Sequence, residues 1–221
     1  MIAKTLCAAT LLAVAGAAHA QSMSQTYLSN GSKVTEPNTT YASRGATGTL
    51  VSFNIGPNNS MDGPQGDSSN VVLLIDIASL AGFAPGTPVT MTGVGWDVNQ
   101  QTVGASWLSE MRLYFDDAVA PDALGLFLRP SATSGTGGNL PEHNASAGII
   151  DLSDNSIANI ALPNGILRLE LFESYEDVED GVDGLWLDPS IITVAIAEVP
   201  TPGAMGLLGV AGMAALSRKR R

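Results

Sequence analysis

The sequence predicts an all-β domain, an antiparallel β-sandwich of about eight strands that is jelly-roll-like in layout. Three observations support this prediction. Apolar and polar side chains alternate in short segments, which is the pattern of half-buried strands. Glycine and proline are abundant, with 24 and 12 of 221 residues, and they divide the chain at short intervals. The body of the chain also lacks any long segment with helical periodicity.

Six segments show the strand pattern most clearly, at residues 49–55, 71–77, 89–98, 111–115, 167–171 and 191–196. Residues 71–77 are apolar on both faces, and a strand of this kind is expected at the centre of a sheet. Weaker strand candidates are residues 124–128 and 149–152, and residues 78–83 predict one helical turn. The polar residues 21–46 predict either an arm or an edge strand.

Residues 1–20 have the pattern of a signal peptide for export. Lys4 precedes an apolar run from Leu6 to Ala18, and the small residues Ala18 and Ala20 form a cleavage pattern. Cleavage before Gln21 would remove Cys7, the one cysteine of the chain. We therefore expect one exported domain, residues 21–198, that is stabilised by packing and not by disulfide bonds.

The final segment, residues 199–221, combines a proline-containing leader, an apolar run and a basic end. The run from Ala204 to Leu216 is 13 residues long, or about 20 Å as a helix, whereas a bilayer span needs about 20 residues. Positive charge after such a run stays on the cytoplasmic side of the membrane. The pattern predicts a marginal apolar tail helix in the membrane, with the body of the protein outside the cytoplasm.

This tail resembles the PEP-CTERM sorting signal of exported bacterial proteins. The resemblance rests on the leader Val199, Pro200, Thr201, Pro202 and Gly203, on the small apolar residues and on the basic end Arg218, Lys219, Arg220 and Arg221. One departure is Thr201, which stands where the family has Glu. The resemblance implies recognition by an exosortase in the membrane, cleavage near the prolines, and transfer of the body to the cell surface or extracellular matrix. A plain C-terminal membrane anchor is the alternative.

The predicted mature body is strongly acidic. It contains all 21 acidic residues of the chain and five basic ones, a formal charge of −16. Nucleic acid and anionic membrane surfaces are poor partners for this charge. Cations and neutral polymers such as extracellular polysaccharide are better partners, and solubility in a salty medium explains the charge equally well.

Acidic side chains are most crowded between residues 173 and 184. Calcium binds oxygen ligands in flexible loops, so this run is a candidate calcium site, although a solvated acidic loop is the simpler interpretation. Its carboxylates are Glu173, Glu176, Asp177, Glu179, Asp180 and Asp183. Two further candidates are residues 62–70 and the group Asp116, Asp117 and Asp122, for which turn chemistry is a sufficient explanation. We hypothesise that at least one of the three binds calcium.

Catalytic patterns are sparse, and we expect that the chain is not an enzyme. His143 is the one histidine of the predicted body, in a segment expected to be a loop, and no nucleophile elbow or phosphate loop is present. A glycoside hydrolase is the remaining catalytic possibility, because its paired carboxylates are defined by geometry and not by spacing.

The tryptophans allow two interpretations. Trp96 lies on the apolar side of its strand and is expected in the core. Trp107 and Trp186 are candidates for exposed rings that stack on sugars, although core packing is the simpler interpretation for both. We therefore expect an exported structural or adhesive protein of the cell surface or matrix, with a carbohydrate-binding module as the alternative and a secreted hydrolase as the third hypothesis.

Overall fold

The computed structural model describes residues 48–61, 63–119, 125–131, 139–146, 148–175 and 181–199. The predicted signal peptide, the polar arm and the sorting tail beyond Val199 lie outside these residues. So do Asp62, Asp122 and four carboxylates of the acidic run, Glu176, Asp177, Glu179 and Asp180.

The described part of the chain is all-β, as predicted. Its eleven strands are β1 (Thr49–Asn54), β2 (Asn58–Met61), β3 (Val71–Asp76), β4 (Val89–Thr102), β5 (Met111–Asp117), β6 (Leu126–Leu128), β7 (Glu142–Ala145), β8 (Ile150–Asp151), β9 (Ile160–Leu162), β10 (Ile166–Glu173) and β11 (Val182–Glu198). The helical elements in the same residues are α1 (Ile77–Leu80) and a 3-10 turn at Ser153–Asn155. Neither is long enough to cross a membrane.

The strands form one sheet in the order β6-β5-β10-β2-β11-β4-β7. β1 pairs with the same edge of β11 as β2 does, β3 pairs with β10, and β8 and β9 pair with β4. The pairs are antiparallel except for β2 and β10, which run parallel and meet at Met61 and Phe172. β2 runs in the same direction as β1 along the same edge of β11. Its last residue also reaches β10, so β2 joins the two halves of the sheet.

The sheet is curled, so that its two halves face each other across a common core. A Cβ atom built on Gly184 of β11 would lie 2.9 Å from Sδ of Met111 on β5, which shows how closely the halves approach. Buried side chains from both halves form one apolar cluster, including Val94 and Ile192 on one side and Leu169 on the other. Trp96 belongs to this cluster, which confirms its predicted core position.

A smaller apolar cluster lies on the outer face of the β5–β10 half. Tyr114, Phe127 and Phe172 are buried there, with ring centroids 4.5 Å apart for the first two and 6.0 Å apart for the last two. Tilted and edge-to-face arrangements of this kind are favourable for aromatic rings.

Helix α1 begins one residue before the predicted turn and is fixed by a side-chain cap. The Asp76 carboxylate accepts the Ser79 backbone N–H at 2.9 Å and its hydroxyl at 2.7 Å, which supplies an acceptor for an otherwise unbonded amide of the first turn. The chain leaves the helix through Gly82, whose φ of 83° favours glycine.

The prediction that residues 71–77 form a central strand is wrong for the described residues. β3 pairs with β10 along one edge only, and the outward side chains of Val72 and Leu74 are 41% and 58% exposed. Within the described residues no strand pairs with the other edge of β3, and β2 meets β10 only at Met61, past the end of β3.

Candidate functional site

One end of the curled sheet gathers the loops that carry most of the predicted site residues. β2, β4 and β10 end here, and β5, β7 and β11 begin here. The register shows this directly, because Gly184 lies opposite Thr102 and Glu173 lies opposite Met111. We call this the loop end of the protein.

Two aromatic rings are exposed at the loop end. Trp107 is 46% exposed and Tyr175 is 64% exposed, and the aliphatic side chains of Val103 and Leu140 are also exposed there. Apolar surface gathered in one region of a protein is a recurring feature of binding sites.

Backbone hydrogen bonds connect the segments that carry the two rings. The Trp107 N–H donates to Oε2 of Glu110 at 2.8 Å, and the Glu110 N–H donates to the Trp107 carbonyl at 2.9 Å. The Glu110 carbonyl in turn accepts the Ser174 N–H at 3.0 Å, one residue before Tyr175. The turn that carries Trp107 is therefore tied to the end of β10, and the rings extend from a defined frame.

Trp186 does not belong to this surface. Its candidacy as an exposed stacking ring is wrong, and core packing, the simpler interpretation of the sequence, is confirmed. Its side chain is fully buried in the core, opposite Gln100 of β4 and Asn58 of β2. The correction follows from the start of β11 at Val182, which makes residue 186 part of a central strand and not of a loop. Trp107 is thus the one of the two proposed stacking residues that the fold leaves exposed.

Two carboxylates of the predicted calcium run also lie inside the protein. Glu173 and Asp183 are buried, and the absence of a side chain at Gly184 leaves room for Glu173, since a Cβ there would lie 2.8 Å from its Oε1. The Asp183 carbonyl accepts the Val103 N–H at 2.7 Å and closes the β4–β11 ladder. Among the described residues, no three histidine, cysteine or carboxylate side chains are close enough to hold a metal ion.

The calcium hypothesis for residues 173–183 therefore depends on carboxylates outside the described residues. Glu173 and Asp183 do not belong to a solvated loop, because they are buried at the end of β10 and the start of β11. Calcium at this run stays a prediction.

Hydrogen bonds within the turn of residues 63–70 engage the Asp67 carboxylate and the Pro64 carbonyl. Asp67 accepts both the backbone N–H and the hydroxyl of Ser69 at 2.8 Å. These two bonds, of which the backbone bond has the larger effect, lower the pKa of Asp67 below 3.8 against a small opposing effect of burial. Asn70 closes the turn by donating to the Pro64 carbonyl at 2.8 Å.

This turn covers Glu170, a residue that sequence reasoning did not single out. Glu170 is fully buried, and its Oε1 accepts the Gly66 N–H at 2.6 Å and Nδ2 of Asn70 at 2.8 Å. Its Oε2 lies 2.8 Å from Nη1 of Arg168. The alternation of Arg168 and Glu170 with leucines predicts a solvated face of β10, and only the fold shows that a distant turn covers it.

The third candidate group, Asp116 and Asp117, is likewise engaged locally. Asp116 is buried and its Oδ1 accepts the Asp117 N–H at 2.8 Å. Asp117 accepts the Val119 N–H at 2.7 Å. These bonds turn the chain after β5, as turn chemistry predicts.

His143 lies on β7 and not in a loop as predicted. Its Nε2 is 2.6 Å from Oδ1 of Asp97, and both side chains are largely exposed. The two residues occupy neighbouring strands, β7 and β4, and form a surface pair.

Beneath the loop end the core contains polar atoms that lack a partner within the described residues. Among them are Ser60 Oγ, Gln100 Nε2 and Trp186 Nε1, which lie on the adjacent strands β2, β4 and β11. Leaving each unbonded would cost about 1–3 kcal/mol. Buried water commonly bonds such groups, and we expect it here.

Comparison with known proteins gives little further information. No family model and no curated protein matches the sequence. A solved structure of infectious bursal disease virus, Gx strain, is similar over 69% of this chain with a TM-score of 0.27 and 13% identity. The chain spans 37% of that viral chain, and a similarity at this level supports no conclusion about function.

Proposed function

We propose that this chain is an exported adhesive or structural protein of the bacterial cell surface or extracellular matrix, and that the loop end is its adhesive face. The observation that carries the proposal is the pair of exposed rings, Trp107 and Tyr175, on hydrogen-bonded segments at one end of the sheet. Tyrosine and tryptophan are enriched in binding surfaces because they bury large areas with little loss of side-chain freedom.

The two termini support export. The pattern of residues 1–20 is that of a signal peptide, and residues 199–221 resemble a PEP-CTERM sorting signal. In this proposal an exosortase is the processing partner, and the apolar run holds the chain in the membrane until it is processed. The acidic, cysteine-free body is compatible with an extracellular location.

We further propose that the curled sheet is a jelly-roll-like β-sandwich. The antiparallel pairing of most strands and the core shared by the two halves support this layout. The domain would display its loops at the end of the sheet, as sandwich-type binding proteins do.

Fractionation of the producing cells tests the export proposal. We expect the body in the surface or extracellular fraction, with a mass that lacks residues 1–20 and the tail. The body should stay unprocessed when the basic end is replaced by alanine at Arg218, Lys219, Arg220 and Arg221. Replacement of Arg129 and Arg168 is not a suitable control, because Arg168 contacts buried Glu170. A better control is Lys33→Ala, outside both signals. Accumulation of the unaltered full-length chain in the cytoplasm would refute export.

Carbohydrate binding is the second candidate, and the exposure of both rings at the same end favours it. Aromatic faces stack on the apolar faces of sugars, and a body with a formal charge of −16 would select neutral over anionic polysaccharides. This candidate differs from protein-directed adhesion in its ligand and not in its site. A secreted hydrolase remains a third hypothesis, and we propose no catalytic residues for it.

Co-sedimentation with purified neutral polysaccharide separates these candidates. Carbohydrate binding predicts that Trp107→Ala and Tyr175→Ala each weaken retention by at least about tenfold, or about 1.4 kcal/mol. The matched control is Leu50→Ala, which removes an exposed apolar side chain from β1, away from the loop end. Equal retention of all four proteins would refute stacking on these rings. Repeating the measurement in calcium and in EDTA tests the acidic run.

A further inference from the structure

We propose that β3 is a self-association edge, at which two copies of this chain pair antiparallel to continue the sheet. The proposal goes beyond adhesion through the loop end, since it concerns a different edge of the sheet and a second copy of the same chain. It begins from a conflict between the sequence of β3 and its place in the fold.

The sequence of β3 is that of a strand covered on both faces. Val71, Leu73 and Ile75 point toward the core, and Val72 and Leu74 point outward. Strands of this composition are typical of sheet interiors. Yet Val72 and Leu74 are exposed, and the three inward residues are only half-buried at the margin of the core.

Within the part of the chain that the structure describes, the backbone of β3 is also unpaired on one side. Its hydrogen bonds go to β10, and no other backbone or side-chain hydrogen bond within the described residues reaches residues 71–75. An open edge presents a row of donors and acceptors to which another strand can pair.

This edge lacks the protection that exposed edges usually have. Charged residues, prolines and bulges are the common protective features, and none occurs between Val71 and Ile75. β1, whose partner is β11, provides the contrast. Its outward residues are Leu50, Ser52 and Asn54; the last two are polar and hydrogen-bonded to Thr193 and Asp188, and Pro57 follows the strand closely.

The occupant that fits best is the same strand of a second copy. When two copies of β3 pair antiparallel about Leu73, Val72 of each copy lies opposite Leu74 of the other, and Val71 lies opposite Ile75. Asp76 then lies opposite Asn70, so that no two like charges face each other along the edge. A two-fold axis makes this contact closed and self-complementary.

The body charge determines how this association depends on salt. Two copies that each carry a formal charge of −16 repel one another at long range, while residues 71–75 of the edge carry no charge. Added salt screens the repulsion, so we expect tighter association at higher ionic strength. A single strand pair is a small interface, and a weak, concentration-dependent dimer is expected.

Analytical ultracentrifugation of protein purified from the producing cells, from low micromolar to submillimolar concentration, tests the proposal. We expect a monomer–dimer equilibrium, weakened at least about tenfold by Leu74→Lys, which places a charge opposite Val72 of the other copy. The matched control is Leu50→Lys, at a similarly exposed leucine on β1 (54% against 58%), which should leave the equilibrium unchanged. Because both leucines are exposed, both variants should retain the wild-type melting temperature.

Amide hydrogen exchange provides the second measurement. In the dimer, the β3 amides that point away from β10 should become protected as protein concentration rises. A monomer at every concentration, or a dimer that Leu74→Lys does not weaken, would overturn the proposal. Protection of the same amides in a monomer would also overturn it and would show that another part of the same chain covers the edge.

Discussion

Replacing Glu170 by Gln should destabilise the protein more than any conservative exposed substitution. The side chain is fully buried and has three partners, the Gly66 N–H, the Asn70 amide and the Arg168 guanidinium. Glutamine keeps one acceptor oxygen, but its amide group then faces a donor, and the guanidinium loses its counter-charge. Breaking a buried ion pair in this way costs about 3–5 kcal/mol.

For a domain of this size that loss corresponds to a fall in melting temperature of about 6–20 °C. Differential scanning calorimetry or thermal circular dichroism measures it, with Glu198→Gln as the exposed control. The double variant Arg168→Met, Glu170→Gln should be more stable than Glu170→Gln alone, because the unpaired guanidinium is gone. A change below about 1 kcal/mol for Glu170→Gln would refute the role given to this residue, and with it the claim that the turn of residues 63–70 is held by a buried charge.

Four further predictions concern individual residues and calcium. Trp186→Phe should cost much less stability than Trp186→Ala, for which about 3–5 kcal/mol is expected, since phenylalanine keeps most of the buried ring and the indole N–H has no protein partner among the described residues; equal losses by denaturant unfolding would contradict this. Gly165→Ala should be strongly destabilising, because φ is +70° and the new Cβ would lie 2.5 Å from Cβ of Ala78 and 2.6 Å from the Thr87 carbonyl. Gly86→Ala, with φ of +79° and open space, isolates the backbone cost of about 1–3 kcal/mol, and similar melting temperatures for the two variants would contradict the close packing at Gly165. The hydrogen bonds from Ser69 stabilise ionised Asp67, so the small stabilisation they give is present above the unfolded-state pKa and is lost as pH falls through the lowered folded-state pKa; an NMR titration of the Asp67 carboxyl should give a midpoint below 3.8, and Ser69→Ala should raise it. Millimolar calcium should raise the melting temperature relative to EDTA; at a calcium concentration a hundredfold above Kd, binding to the folded state adds about 2.7 kcal/mol to the free energy of unfolding. Identical melting temperatures in calcium and in EDTA would reject the calcium hypothesis.

Much of the fold could be predicted because its strands alternate clearly. Val51 on β1, Leu113 on β5 and Leu169 on β10 lie in the core as their periodicity predicts. The all-β class therefore follows from local pattern alone. The short strands β2, β7 and β9 were not predicted, because segments such as Asn58–Met61 have few apolar residues and are strands only through pairing with a neighbour.

The start of β11 shows the same effect with a larger consequence. Residues 182–190 contain Asp183, Gly184, Asp188 and Pro189, which favour loops. Val182 and the residues from Gly184 to Leu187 nevertheless pair with β2 or β4, and the register becomes irregular only between Leu187 and Ile191. This pairing buries Trp186 and Asp183. Because β11 begins at Val182, Trp186 is separated from Trp107 and Asp183 from the loop carboxylates. The composition of these residues gives no sign of this strand.

Two features of the candidate site required the three-dimensional structure. Tyr175 gave no signal in the sequence beyond its place beside acidic residues, and it joins Trp107 only because the Glu110 carbonyl accepts the Ser174 N–H. Glu170 is covered by a turn about a hundred residues away in the chain, as its bond to Gly66 shows. Long-range contacts of this kind have no local pattern from which they could be predicted.

The most direct test of the adhesive role is the binding of purified protein to extracellular matrix from cells that lack it. Wild-type protein and the Leu50→Ala control should bind saturably and equally. The double variant Trp107→Ala, Tyr175→Ala, with an unchanged melting temperature, should lose at least about 90% of the bound fraction at subsaturating concentration, which corresponds to a tenfold weaker affinity. Undiminished binding by the folded double variant would contradict the assignment of the loop end as the adhesive face.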